Sequence, residues 1–296
     1  MVTFYRRMPK FNYLKPGSLD EALKLLADNG NGKYRVYAGG TDVIPKLKGR
    51  IIKQPEILVD LKGVTGLDMI DFDDRNGLRI GALATIRSVE TSAVIKEKYP
   101  ILSRAAESIA SIQVRNRGTI AGNICNAVPS ADSAPALLCL DAKLICEGRR
   151  GERIINIMDF FKGPNLTALQ PDELLKEIRI PKSPDNSRSL YIKLSPRSRM
   201  DLAVVGVGVL VTYAGEILNN VRIGLGAVAP TPIRALKAEA MLEGSEASNE
   251  KIADAAKTAS EEARPIDDHR ASAEYRKMMV EVLVRRAIHQ CMQDYQ

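Results

Sequence analysis

Residues Tyr37–Val43 read YAGGTDV, and residues Gly118–Asn123 read GTIAGN. Each is a glycine-bearing turn, the first after a β-prone run and the second after a helical one. Whether they build one binding site or two unrelated turns decides the reading of the whole chain. A backbone without Cβ atoms turns sharply and can present its N–H groups to an oxyanion. Thr41 adds a hydroxyl, or caps the helix that follows. Gly118, Thr119, Gly122 and Asn123 bring the same inventory, with Arg115 and Arg117 bracketing the approach. Neither turn matches the G-x-G-x-x-G or the G-x-x-x-x-G-K-[ST] phosphate loop. Taken singly, each reads equally well as a tight turn with positive φ. Taken together, they could hold a diphosphate from two sides through backbone dipoles rather than a lysine charge, and composition and spacing do not separate that reading from two plain turns.

Outward from these turns the chain alternates helix and strand signals. Ser18 with Glu21 forms a capping box for SLDEALKLLADNG, with Gly30 as the stop. YRVYAG, PEILVDL and GLRIGALATI read as strands, with a hairpin turn at Asp74–Gly77. SVETSAVIKEKYP and ILSRAAESIASI carry helical periodicity. LLCLDAKLIC, which holds Cys139 and Cys146, reads as a buried strand-like run followed by a turn at EGRRGER. The Pro/Ser/Asn-rich stretch Ile180–Ser189 marks a boundary. Beyond it lie three long β segments, turning at PRSRMD and AGEILN, and then two helices. The last helix places Tyr275, Met278, Met279, Val282, Leu283 and Ala287 on a core-facing stripe. The pattern is α+β: residues 1–180 form a mixed N-terminal domain, and residues 181–296 form a three-stranded sheet covered by helices.

Composition narrows the function. The 296 residues, 45% hydrophobic and 27% charged, suit a globular protein of two ordinary domains. The longest apolar run, LAVVGVGVLV at Leu202–Val211, is far short of the ~20 residues a membrane span needs. No apolar stretch follows the early arginines, so a signal peptide is not expected and the cytoplasm is the default compartment. The net charge of +7 is dispersed and accompanies no nucleic-acid module, so a solvated surface is expected, with room for a phosphate-bearing ligand. Cys125, Cys139, Cys146 and Cys291 lack the spacing of a zinc or iron–sulfur framework. The histidines, His269 and His289, sit in helix-like sequence that suits neither a metal site nor a Ser-His-Asp triad.

The segments VYAGGTDV and QVRNRGTIAGNICNAVPSADSAPALLCLDA, in this order, resemble the FAD-binding subunit of the molybdenum hydroxylases. FNYLKPGSLDEALKLL, DELLKEIRIP, KLSPRSRMDLAVVGVGV and YRKMMVEVLVRRAI extend the resemblance over nearly the whole chain. It implies an FAD-binding domain of the vanillyl-alcohol-oxidase (PCMH) type in two α+β lobes, then a C-terminal sheet-and-helix domain. The first turn, Val36, Tyr37, Ala38, Gly39, Gly40, Thr41, Asp42 and Val43, is implied to wrap the FAD pyrophosphate. Gly118, Thr119, Ala121, Gly122 and Asn123 complete the phosphate and ribityl contacts. Asp132 matches an acidic position on the adenosine side, where a carboxylate accepts from sugar hydroxyls. An Asx-type turn before Pro135 is its plainer reading. Leu175 matches a residue that carries its backbone to the cofactor. Lys193 matches a lysine beside the isoalloxazine, where a cation stabilises the reduced ring.

Three positions depart from the family pattern. Ile109 stands where some members stack an aromatic ring, Ala121 replaces a glycine, and Ala131 lacks a hydroxyl. No residue is placed to attach the flavin covalently, so non-covalent FAD is expected, with no catalytic side chain on this subunit. The resemblance further implies a molybdopterin-binding large subunit that hydroxylates an N-heterocycle such as nicotinate or a purine, an aldehyde, or CO. A small subunit with two [2Fe–2S] clusters would relay electrons to this FAD and on to NAD(P)+ or another acceptor. A stand-alone FAD-dependent oxidoreductase of the same superfamily, and a basic binding module without cofactor, are the competing readings.

Overall fold

The computed structural model describes residues 7–29, 33–198, 200–215 and 217–293. Gly30, Arg199 and Glu216, each part of a turn or stop expected above, lie outside them. The first helix, Leu19–Asn29, starts as its sequence dictates: Ser18 Oγ accepts from the Glu21 amide at 3.1 Å. Glu21 reaches back to the Gly17 amide at 2.7 Å. Its apolar face, Ala22, Leu23 and Leu26, buries against Val59 and Leu61. These belong to a small parallel sheet in which Ile57–Asp60 lies between Asn12–Leu14 and Tyr34–Tyr37.

A second, antiparallel sheet runs in the order Ile70–Asp73, Gly77–Gly81, Leu174–Ile180, Lys143–Gly148, Gly151–Asn156. The hairpin at residues 74–77 forms because Asp73 Oδ1 accepts from the amides of Arg75 and Asn76, while Gly77 takes φ +84°. GLRIGALATI is a strand only to Gly81. Thr85 accepts from the Ser88 amide at 3.0 Å and starts the helix Ile86–Thr91 instead. Short helices, among them Pro100–Glu107, Ile120–Cys125 and Ser133–Cys139, pack beneath this sheet as one core. The helix Ser133–Cys139 corrects the strand expected for LLCLDAKLIC. Asp141, at φ +48°, breaks the run, and only Lys143–Gly148 is extended. The apolar stretch before Asp141, residues 136–140, is too short to show a period, so helix and strand read alike in it.

The C-terminal sheet has three long antiparallel strands, Ser187–Leu194, Val205–Ala214 and Ile217–Gly226. Two dipeptide strands, Ile233–Arg234 and Ser245–Glu246, extend it. Its sequence VGVGV sorts two faces by strand alternation. Val205, Val207 and Val209 enter the core beneath Asn249–Glu262 and Ala273–Gln293. Gly206 and Gly208 face the other way, paired with Gly226 and Gly224. Onto this bare face sits Pro135 of the helix Ser133–Cys139. A Cβ at Gly224 would lie 2.4 Å from the Pro135 carbonyl oxygen. The helix Ser133–Cys139 therefore packs directly on the C-terminal sheet.

The last helix is rotated from its expected phase. Arg276, Val280, Leu283, Val284, Ala287, Ile288 and Cys291 are buried, while Tyr275 and Met278 are exposed. The cause is Arg276, which an apolar count leaves outside. Its guanidinium donates to the carbonyls of Val204 (2.8 Å) and Ala227 (3.0 Å) and to Asp268 (2.7 Å). No helix among the described residues is long and apolar enough to cross a membrane.

Candidate functional site

The two glycine turns form one site. The strand Tyr34–Tyr37 is fixed at its end by Lys62, whose Nζ lies 3.6 Å from the Tyr37 ring centroid. The same ammonium donates to the Ala38 carbonyl at 3.0 Å and to buried Asp60 at 2.7 Å. Gly40, at φ +76°, then turns the chain over the Tyr37 ring, where a Cβ would come within 2.2 Å. Gly39 meets the second turn backbone to backbone: a Cβ there would stand 2.0 Å from the Arg117 carbonyl oxygen. No side chain fits, so the close approach requires glycine. From the other side, the amide of Ile86 donates to the Gly118 carbonyl at 2.8 Å. Arg115 does not bracket the opening. It turns inward to Glu90 (2.8 Å) and to the carbonyls of Ile109 and Ala110, holding the second turn's approach in place.

Together the turns wall a cleft of about 770 Å³. Val36, Ala38 to Val43, Gly118, Thr119, Ala121, Gly122, Asn123 and Leu175 all contribute to it. Among the described residues, the amides of Gly39, Gly40, Thr41 and Asp42 donate to no backbone carbonyl. Buried donors are nearly always satisfied, so a run of free amides in a cleft is a ready anion cradle. Asp42, not Thr41, precedes the helix Val43–Lys48, and it makes no side-chain cap, which leaves the Thr41 hydroxyl available. Thr119 caps its helix by accepting from the Gly122 amide at 2.9 Å. Asn123 accepts from the Ser133 hydroxyl at 2.6 Å. Burial pushes the Asp42 carboxyl above its usual range, against the opposing pull of Lys46 and Asn126.

Four expected residues stand apart from the cleft wall. Tyr37 supports the first turn from below, and Ile109, Asp132 and Lys193 lie off it. Lys193 Nζ donates to Asp132 Oδ2 at 2.9 Å and to the Ser108 carbonyl at 2.9 Å. The Tyr191 hydroxyl donates to Asp132 Oδ1 at 2.8 Å. The resemblance sends Asp132 to the adenosine side and Lys193 to the isoalloxazine. Their charges meet instead, so the pair can serve one end of a dinucleotide and not both. Nor does Asp132 form an Asx turn: it sits at the helix start without a side-chain cap, drawn away by Tyr191 and Lys193. Burial raises its pKa, with Lys193 and Tyr191 opposing, and burial likewise raises the Tyr191 phenol.

The sequence reading missed Lys46, Asn126, Asn165 and Gln170, which also line the cleft. Helical spacing carries a signal for two of them: Lys46 is one turn after Asp42, and Asn126 is one after Asn123. Asn165 comes from the hairpin at residues 161–167, too far along the chain to show. Cys125 faces the same cleft, but burial pushes its thiol up to about 12. A thiol so protonated is a poor nucleophile for covalent attachment.

Free amides, a close backbone approach and a mixed polar and apolar lining suit a ligand that carries an anionic group. Residues 9–183 match the family described as "FAD binding domain in molybdopterin dehydrogenase". Residues 190–291 match "CO dehydrogenase flavoprotein C-terminal domain". The chain is 34% identical to the glyceraldehyde dehydrogenase medium chain of Sulfolobus acidocaldarius, covering 94% of this chain and 97% of that one. It is 33% identical to the carbon monoxide dehydrogenase medium chain of Hydrogenophaga pseudoflava, covering 95% and 96%. A solved structure of carbon monoxide dehydrogenase from Hydrogenophaga pseudoflava superposes with a TM-score of 0.93 at 33% identity, over 97% of this chain and 99% of that one. The chain belongs to the FAD-binding medium-chain subunits of the molybdenum hydroxylases. It is a subunit of an FAD-dependent oxidoreductase, and the molybdopterin and iron–sulfur centres of such complexes lie on other subunits. The residues present fit FAD, because the unpaired amides answer a diphosphate and the apolar wall at Val36, Leu174 and Leu175 answers ring surfaces.

Proposed function

We propose that this chain is the electron-transfer subunit of its complex. It takes electrons from [2Fe–2S] clusters on a small partner and passes them to NAD(P)+ or another acceptor. Hydroxylation of an N-heterocycle, aldehyde or CO takes place on the molybdopterin-bearing large partner, with the complex in the cytoplasm. When bound, FAD supplies the step between one-electron and two-electron chemistry. This chain's residues hold and orient it. The amides of Gly39 to Asp42 and the Thr41 hydroxyl grip the diphosphate; Gly118, Thr119, Ala121, Gly122 and Asn123 close the second side; Leu175 presents its backbone. Asp132 and Lys193 act as one unit that ties the Ser108 and Asp132 turns to the C-terminal strand. A neutralised lysine offers little net charge to a ring, so its part is positioning. The dispersed basic excess faces a more acidic partner surface.

The observation that carries this reading is the contact of the Gly39 backbone with Arg117 and Gly118, which leaves a row of free amides on one cleft. The purified chain is expected to show flavin bands at about 450 nm that are released intact on denaturation, the mark of non-covalent FAD. The assembled complex, reduced anaerobically by its substrate, is expected to be reoxidised by NAD+ or NADP+. Reoxidation by a quinone or dye alone assigns the other class of acceptor, and a colourless chain sinks the proposal.

A further inference from the structure

We infer that Lys46 is an electrostatic clasp for the anionic part of the bound dinucleotide. The inference rests on the FAD reading and adds a residue to it. Arg35 and Lys46 are the basic residues of the cleft wall. Lys46 stands one turn beyond Asp42, its amide bonded to the Asp42 carbonyl at 3.1 Å, so its stem rises beside the free amides of the first turn. Its ammonium donates to Asn126 Oδ1 and, at 3.2 Å, to Asn165 Oδ1. Both partners are neutral amide oxygens from different segments. Asp42 feels the charge but takes its hydrogen bond from Asn126 Nδ2 at 2.9 Å. Asn126 therefore holds the cation and the carboxylate apart, bonding one through its oxygen and the other through its nitrogen.

This arrangement preorganises a positive charge that bonds to no carboxylate directly: Asp42, which feels it, is held off by Asn126. An ammonium with three donors, two of them engaged by the asparagines, keeps one for a phosphate oxygen. The free amides alone would bind a diphosphate through partial charges. Lys46 adds a full one at the same wall, and the pair of asparagines fixes its position without neutralising it.

The test uses the full-length chain stripped of flavin and titrated with FAD, read by quenching of flavin fluorescence across a range of NaCl. Lys46→Gln removes the charge yet keeps a donor for the asparagine oxygens, which guards the fold; Lys46→Arg keeps the charge. Lys46→Gln is expected to weaken FAD binding about ten- to hundredfold at low salt. The gap should narrow as salt screens the attraction, with Lys46→Arg staying close to wild type. An unchanged Kd in Lys46→Gln overturns the clasp. So does a loss that ignores salt and is shared by Lys46→Arg, since that marks a purely structural lysine. A wild-type chain that fails to bind FAD overturns the parent reading as well, which separates the two failures.

Discussion

Gly39 shows how much one missing side chain decides. Any Cβ at this position would overlap the Arg117 carbonyl oxygen, so Gly39→Ala must push the two turns apart. The substitution is expected to weaken FAD binding more than tenfold and to leave the far-ultraviolet circular dichroism unchanged. Retained wild-type affinity would show that the turns need not touch. The Asp132–Lys193 pair makes a second prediction. Both side chains are nearly buried, at 9% and 6% exposure, so Asp132→Ala removes the acceptor that the Tyr191 hydroxyl and the Lys193 ammonium share. The cost is about 1–3 kcal/mol, read as a loss of unfolding free energy in urea, and Asp132→Asn, which keeps an acceptor oxygen, is expected to cost less. Residue types at both places were visible in the sequence, but their partners were not: Lys193 is 61 residues from Asp132.

At the scale of elements, the contact between the helix Ser133–Cys139 and the C-terminal sheet sets the geometry of the molecule. The glycines of VGVGV and RIGLG leave a bare patch that receives Pro135. Gly224→Ala inserts a methyl 2.4 Å from a carbonyl and is expected to cost about 1–3 kcal/mol, measured as a lower Tm by calorimetry. Gly215→Ala serves as the contrast: its site is open, so only the strain of its φ of +63° remains. The long strands and capped helices were legible because period and caps are local. Ser18, Thr119 and Ser248 each accept from an amide three residues on. LLCLDAKLIC and the phase of the last helix were not, since the apolar stretch before Asp141 is too short to show a period and a buried arginine answers to distant carbonyls.

Over the whole molecule, carboxylates paired with arginines set the acid limit. Arg270 and Arg276 hold Asp268 well below the usual carboxylate range. Arg153 lowers Glu173, and Arg79 and Arg179 lower Glu177 against the cost of burial. Their folded pKa values lie under the unfolded ones, about 3.9 for Asp and 4.3 for Glu. The stability they contribute is therefore present above those values and lost as pH falls through the folded ones. Tm is expected to be flat down to about pH 5 and to drop below it. Asp42 and Asp132, raised by burial, work in the opposite sense and lose stability as pH rises from about 3.9 through their folded values. Asp268→Asn should flatten the acid limb, and an unaltered limb would remove Asp268 from the account. Glu177→Gln is expected to cost about 1–3 kcal/mol, toward the lower end because its arginine partners are half-exposed and rehydrate.

By itself the sequence determined the elements with local signals: the capped helices, the alternating strands, and the glycines whose turns no other residue can make. It also carried the family resemblance, since motif order survives in one dimension. Only the tertiary structure decided that the turns touch, that Lys46 joins them through Asn126 and Asn165, and that Asp132 answers Lys193. Caps and periods act within a few residues, whereas these contacts join segments tens of residues apart. Such contacts exist only once the buried sheets and helices have brought the segments together.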